Sequence, residues 1–371
     1  MKNILYYVKK FGNQSFEEFP FNEVDGLILS QISYMNLDSI LPTIDDTMED
    51  VSLLELLDES HLEAACENTL DRKNNYKLIK LLQKSSRYEG LFVNYFSNQF
   101  DVEEVEQFSA MTFLFKKFMF IAYRGTDITL LGWKENLAMA YLDVIPSQKE
   151  AIRYFERVAQ KRDLPIYLGG HSKGGNLAVY AAYHSKDEIQ DRIVIIYDYD
   201  GPGFQTDILN TEEMLKLEKR IFKYTCREAM VGILLHHSED LIFVKTKGLS
   251  IFQHDPYNWI VTKNGNFELV DNANILSKTF EKTMNDFIET SSIEVRKNFL
   301  EILFKVSMEH SYSTVLDWVR HPFRSIHGMF KRYKTLSPKQ RAFFRKMLKK
   351  YRIMWRHNFK LFLHKKQGGK Q

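Results

Sequence analysis

Cysteine is scarce in this sequence of 371 residues, which contains only Cys66 and Cys226. Two cysteines so far apart provide neither a disulfide framework nor the short ligand spacing of a structural zinc site. No clustering of histidine, cysteine and carboxylate residues suggests a metal site elsewhere in the chain. The sequence therefore predicts a protein of a reducing compartment, with no metal and no organic cofactor.

Long hydrophobic runs are missing as well. The N-terminal segment is continuously apolar only from Ile4 to Val8, which is too short for the core of a signal peptide. No run approaches the ~18 apolar residues of a membrane-spanning helix. A composition of 44% hydrophobic and 27% charged residues is typical of a globular protein. We expect the protein to be cytoplasmic.

Acidic residues are absent from the C-terminal part of the chain. Residues 318–371 contain 17 lysines and arginines and no aspartate or glutamate, whereas the residues before them contain 34 basic and 48 acidic side chains. An acidic body is thus followed by a basic tail. We expect no nucleic-acid partner, because no recognised nucleic-acid-binding motif accompanies the charge.

Residues 338–364 of this tail have the spacing of an amphipathic helix. Its apolar face would carry Phe344, Leu348, Tyr351, Trp355 and Phe359. A basic helix with aromatic anchors favours binding to an anionic membrane surface, and therefore a peripheral location at the membrane. The alternative is that the apolar face packs against the rest of the protein and the charges point to solvent.

Apolar strand-like runs alternate with helical patterns through most of the chain. This alternation predicts an α/β fold with a mainly parallel central sheet and helices on both faces. Beyond residue 285 only helical patterns remain, so we expect a sheet-based domain at 1–285 and a helical basic extension at 286–371. The predicted strands are 111–115, 118–123, 166–169, 192–200, 220–225 and 240–246, and an amphipathic helix is predicted at 147–161 with Ser147 as its N-cap.

A serine lies between glycines where one predicted strand turns into a helix. Gly170-His171-Ser172-Lys173-Gly174 fits the pattern G-x-S-x-G of a nucleophile elbow. In such an elbow the serine hydroxyl is lifted above the edge of the sheet, and the N–H of the next residue, Lys173, faces the reacting carbonyl group. The alternative is a glycine-rich loop that serves only packing.

A second turn upstream has the features of an oxyanion-hole loop. The predicted strand 118–123 runs into Arg124-Gly125-Thr126. A second oxyanion donor is expected from an early loop of this kind, and Thr126 could supply both its backbone N–H and its hydroxyl. The alternative is a tight turn in which Arg124 forms a structural ion pair.

Together these two segments resemble a known family. The stretches FIAYRGTD and GGHSKGGNLA are similar to the class 3 (fungal-type) triacylglycerol lipases, and even more to a bacterial family of uncharacterised lipase-like α/β hydrolases that shares DGPGF, VGILL and QHDPYNW. The resemblance covers about residues 20–265. It implies an α/β-hydrolase fold and acyl-hydrolase chemistry, and by analogy a helical flap at 128–142.

The resemblance and the order Ser, acid, His along α/β-hydrolase chains together favour His254 as the general base. A surface position, or a structural pairing with Asp255, is the alternative for this histidine. Asp200, at the end of the run 192–200, is the first choice for the acid. Asp198 also fits that turn, and Glu228 occupies the stretch where class 3 lipases carry their aspartate.

These residues predict a serine acyl hydrolase of the lipase or esterase class. Ser172 would attack the ester of a lipid or small molecule, His254 would accept its proton, and Thr126 and Lys173 would stabilise the oxyanion. The alternative is a non-catalytic α/β-hydrolase scaffold that binds a ligand, a membrane surface or a protein partner. The uncertain acid is the feature that favours this alternative.

Overall fold

The structure is a computed structural model. It describes residues 2–37, 41, 49–67, 69–101, 103, 106–126, 130–205, 211–308 and 322–368.

The centre of the molecule is an eight-stranded sheet in which the strands follow one another in chain order. Strands β1 to β4 are antiparallel, and β4 to β8 are parallel. The strands are β1 Val51–Ser52, β2 Phe92–Asp101, β3 Glu106–Leu114, β4 Met119–Tyr123, β5 Ile166–His171, β6 Ile193–Tyr199, β7 Ile221–Cys226 and β8 Leu241–Val244.

Helices lie before, between and after these strands. They are α1 Ile4–Phe11, α2 Glu23–Ile32, α3 Leu53–Leu56, α4 Leu62–Cys66, α5 Arg72–Leu82, α6 Leu130–Ala138, α7 Pro146–Lys161, α8 Lys173–Tyr183, α9 Asp187–Gln190, α10 Glu212–Glu218, α11 Ile275–Glu289, α12 Ile293–Met308, α13 Pro322–Thr335 and α14 Pro338–Gly368. Short 3₁₀ turns occur at Ser86–Tyr88, Ser250–His254 and Pro256–Asn258.

The sheet is buried on both faces, as its parallel strands require. Alternate residues of β4 belong to two different cores. Phe120 packs with α1 and α2 on one face, whereas Ile121 packs with α7 and α8 on the other. A mainly parallel sheet covered on both faces, with a serine at a strand-to-helix turn, is the α/β-hydrolase architecture, so the predicted fold class is confirmed.

Six of the eight strands were predicted and differ from the prediction mainly at their ends, whereas β1 and β2 were not predicted. Strand β3 begins at Glu106 rather than at residue 111, because its first residues pair with the far end of β2. Helix α7 begins at Pro146, one residue earlier than predicted. Its N-cap is therefore Ile145, whose N–H donates to the side chain of Gln148 at 3.1 Å, and the prediction of Ser147 as the cap is wrong.

The C-terminal helices pack on one another and on the sheet domain. Phe287 of α11, Phe299 of α12 and Phe344 of α14 share one apolar cluster. The predicted boundary at residue 285 falls inside α11, and the division into two domains stays a prediction. None of the helices in the described ranges combines the length and the apolar character needed to cross a membrane.

Candidate active site

Ser172 occupies a sharp turn between β5 and α8. Its backbone has φ 58° and ψ −134°, a conformation that a residue other than glycine adopts only under constraint. The N–H of Ser172 donates to the carbonyl oxygen of Tyr199 at 2.8 Å, which fixes the turn against β6. A Cβ at Gly170 would lie 2.3 Å from the carbonyl carbon of Gly174, so the turn requires this glycine.

His254 and Asp200 form a direct pair. The Nδ1 of His254 lies 2.5 Å from Oδ2 of Asp200. Since an ionised carboxylate can only accept, Nδ1 of His254 donates in this contact, and in the neutral form of the imidazole Nε2 is then the acceptor nitrogen. Asp200 follows β6 and is fully buried, while His254 ends the 3₁₀ turn after β8 and is partly exposed.

Further donors hold the Asp200 carboxylate in its ionised form. The hydroxyl of Thr225 donates to Oδ1, and the thiol of Cys226 lies 3.6 Å from Oδ2. Burial raises the pKa of Asp200, but the hydrogen bond from His254, the attraction of its imidazole when protonated and the hydroxyl of Thr225 outweigh burial and hold the pKa below its ordinary value. The site thus contains a buried carboxylate that orients an imidazole.

His171 connects this pair to the elbow. Its ring lies 4.4 Å from the ring of His254, and its Nε2 lies 2.8 Å from the carbonyl oxygen of His254. Burial, and then the charge of His254, lower the pKa of His171 to about 3. His171 is therefore neutral at physiological pH. Because it directly precedes Ser172, its contacts with His254 hold His254 next to the elbow.

The turn that contains Thr126 lies beside the serine. A Cβ on Gly125 would lie 3.0 Å from Cβ of Ser172, so the backbone of β4 reaches the elbow as it leaves the sheet. Thr126 is buried, and its hydroxyl donates to Oδ1 of Asn136 in α6 at 2.9 Å. The hydroxyl of Thr126 was predicted from the sequence as a possible donor to the oxyanion, but its hydrogen is used in this bond. Only the backbone N–H of Thr126 remains as a proposed oxyanion donor.

The side chain of Lys173 points away from the reacting position. Its ammonium group is fully buried, forms an ion pair with Glu135 of α6 and donates to the carbonyl oxygen of Gln107 at 2.7 Å. Only the backbone N–H of Lys173, at the start of α8, remains as the proposed oxyanion donor.

The other carboxylates considered from the sequence have different partners. Asp198 is buried against Lys223 at 2.5 Å, and burial raises its pKa to about 6. Glu228 lies in the turn after β7, where its backbone N–H donates to Gln253 at 2.9 Å. Asp255 accepts the N–H of Tyr257 at 3.0 Å. His254 is thus paired with Asp200, and neither Glu228 nor Asp255 occupies that position.

Comparison with known sequences places the chain in a family. The family model described as Mbeg1-like matches residues 82–305, which is more than half of the chain. The chain belongs to the Mbeg1-like family. The matched segment includes Thr126, Ser172, Asp200 and His254.

Solved structures similar to this Mbeg1-like protein include the crystal structure of M37 lipase. The two chains share 14% identity with a TM-score of 0.35, over 57% of this chain and 69% of the lipase chain. No curated protein matches the sequence.

Several contacts of the Mbeg1-like site were not predicted from the sequence. Tyr34, just after α2, donates its hydroxyl to the carbonyl oxygen of His171 at 2.9 Å. Thr225 and Cys226 reach Asp200 from the neighbouring strand β7. Thr225 could have been predicted from its position at the carboxyl end of a strand beside β6. The sequence around Tyr34 contains no feature that indicates its contact with the site. Within the described residues, no group of histidine, cysteine and carboxylate side chains is placed to hold a metal.

Proposed function

We propose that this protein is a serine acyl hydrolase of the lipase or esterase class, which cleaves a carboxylic ester of a lipid or small molecule. The observation that supports this most directly is the bonded pair of His254 and buried Asp200 beside the strained elbow that presents Ser172. A relation to the class 3 lipases is part of the proposal.

The reaction begins when Nε2 of His254 takes the proton of the Ser172 hydroxyl, whose oxygen attacks the ester carbonyl carbon. Asp200 stabilises the imidazolium that forms. The backbone N–H groups of Thr126 and Lys173 donate to the oxyanion, which the positive end of α8 also favours. Collapse of the tetrahedral intermediate expels the alkoxide, which receives the proton from His254 and leaves as the alcohol.

Water completes the cycle. His254 removes a proton from water, whose oxygen attacks the acyl-enzyme carbonyl, and the proton then passes to the oxygen of Ser172 as the carboxylic acid leaves. The reason to prefer a non-catalytic scaffold was the uncertain acid. That reason is weakened, because a buried carboxylate contacts His254.

A fluorophosphonate probe tests the nucleophile. We expect covalent labelling of the wild-type protein and no labelling of Ser172→Ala, together with loss of p-nitrophenyl butyrate turnover. Ser185→Ala is the matched control, since Ser185 is also a buried serine and lies just beyond the other end of α8. Labelling that survives in Ser172→Ala would remove Ser172 from the nucleophile role.

A further inference from the structure

The aromatic face of helix α14 packs against other helices of the protein. Phe344 is only 6% exposed and belongs to the cluster with Phe287 and Phe299. The amide of Asn358 is fully buried and donates to Asp286 of α11 at 2.8 Å. The aromatic side chains that the sequence favoured as membrane anchors are therefore at least partly used in packing on α11 and α12.

The opposite face of α14 is exposed and basic. We call this set of side chains the basic face: Arg345, Lys346, Lys349, Arg352, Arg356 and Lys360. None of the six has a carboxylate partner within the described part of the chain. By contrast, Lys350 lies on the edge of the packed face and donates to the carbonyl oxygen of Thr290 and the hydroxyl of Ser291. The basic face thus has no evident role in holding the fold together.

Aliphatic side chains are exposed among these charges. Ile353 lies on the basic face and is 58% exposed, and Leu363, seven residues after Arg356 and therefore on the same side of the helix, is also exposed. On the preceding helix α13, Phe330 is 64% exposed. Exposed aliphatic residues among cations are typical of helices that lie in a membrane interface, where the cations meet lipid phosphates and the aliphatic groups enter the acyl boundary. Nucleic acid would use the cations but would leave Ile353 in water.

The charge of the rest of the chain points to the same partner. Residues before 318 carry a net charge of −14, whereas residues 318–371 carry 17 positive charges and no acid. An anionic surface repels the first part and attracts the second, so this partition orients the molecule with its C-terminal helices toward the surface.

We propose that the basic face of α14 docks on an anionic phospholipid bilayer, with Ile353 and Leu363 inserted at headgroup level. The helix lies along the surface. This interaction goes beyond ester hydrolysis and does not depend on the chemistry of Ser172, so Ser172→Ala should bind vesicles as the wild type does.

Vesicle sedimentation tests the electrostatic part. The full-length protein should bind vesicles of phosphatidylglycerol and phosphatidylcholine, and bind pure phosphatidylcholine vesicles only weakly. Lys349→Glu/Arg352→Glu/Arg356→Glu should weaken binding by more than about tenfold, since each cation near an anionic leaflet contributes to affinity. The control Lys73→Glu/Lys77→Glu/Lys84→Glu changes the net charge equally through exposed lysines of and just after α5 and should bind nearly as the wild type does.

A second pair of variants tests insertion. Ile353→Ser should weaken vesicle binding severalfold and leave retention on heparin, a soluble polyanion, unchanged. Leu215→Ser in α10, where the side chain is 53% exposed, is the control and should affect neither. Equal vesicle binding by the wild type and the α14 triple variant would overturn the proposal. So would binding of single-stranded RNA without binding of anionic vesicles. Circular dichroism establishes that each variant is folded.

Discussion

Ser172 and Asp200 share an unusual backbone. Both have positive φ values, 58° and 55°, and neither is glycine. Each follows a parallel strand at the same edge of the sheet, and each is held by its own N–H, which donates to Tyr199 and Tyr224 respectively. Such conformations cost of order 1–3 kcal/mol and persist only where neighbouring contacts determine them. Tyr95 and Leu235 are the other residues besides glycine with positive φ in the described ranges, so two of these four strained positions are residues that the proposed mechanism requires.

Replacement of Asp200 tests the assignment of the acid. In Asp200→Asn the amide can no longer fix the Nδ1–H tautomer of His254, so we expect kcat for p-nitrophenyl butyrate to fall by about 10³–10⁴-fold with a small change in KM. Glu228→Gln is the matched control, since Glu228 is not the partner of His254, and it should change kcat by less than about threefold. A loss in Glu228→Gln as large as that in Asp200→Asn would contradict the assignment.

The buried His171 makes stability depend on pH. The pKa of His171 is about 3 in the folded protein, whereas the ordinary value of 6.5 applies in the unfolded chain. Between these pH values the unfolded chain therefore binds a proton that the folded chain does not. The free energy of unfolding is therefore unaffected by this group above about pH 6.5 and decreases as the pH falls from 6.5 toward 3. At pH 5 the loss amounts to about 2 kcal/mol.

Urea unfolding at pH 8 and pH 5 measures this effect. His171→Gln is neutral at both pH values, so its free energy of unfolding should fall between them by about 2 kcal/mol less than that of the wild type. Equal losses in the two proteins would show that His171 is not the group responsible.

At the scale of elements, helix α6 connects the two proposed oxyanion donors. Asn136 accepts the hydroxyl of Thr126 at 2.9 Å, and Glu135 pairs with Lys173 and accepts the N–H of Ser147 at 3.1 Å. The analogy to lipases suggested a flap at 128–142. Of that range, 128–129 lie outside the described residues, and α6 occupies Leu130–Ala138 with Glu135 buried. The buried end of α6 supports the turn at Thr126 and the start of α8 at once.

Breaking the buried pair of Lys173 and Glu135 should be strongly destabilising. Lys173→Met leaves the Glu135 carboxylate buried without its cation, and we expect the free energy of unfolding to fall by about 3–5 kcal/mol in urea titrations. In Lys173→Met/Glu135→Gln no charge is left buried, so much of this loss should be recovered. A loss below about 1 kcal/mol in the single variant would show that the pair contributes little.

At the scale of the whole molecule, the C-terminal helices are attached to the same helix as the proposed site. The guanidinium of Arg296 in α12 donates to the carbonyl oxygen of Ala140 just after α6 at 2.7 Å, and Leu137 and Tyr141 pack on the cluster formed by α11, α12 and α14. The proposed membrane face and the proposed active site thus belong to one connected set of contacts. Docking of α14 would hold the rest of the molecule close to the lipid surface.

Much of the sheet could be predicted from the sequence, because buried parallel strands consist of short apolar runs such as 192–200. The elbow could be predicted from its G-x-S-x-G pattern. Strand ends were less predictable. The first residues of β3 alternate less clearly and become a strand only because β2 lies beside them. The sequence analysis ended the sheet-based domain at residue 285, but that position lies inside helix α11, which ends at Glu289.

The candidate site divides in the same way. Ser172, its glycines and the basic composition of residues 318–371 can be read from the sequence by itself, because each depends on a few adjacent residues or on charge. The carboxylate that contacts His254, the burial of Lys173 against Glu135 and the face of α14 that meets solvent were decided by tertiary structure. Each of these joins groups far apart in the chain, 54 positions in the case of Asp200 and His254. Whether such groups meet depends on strand order and helix packing, and local spacing carries no information about either.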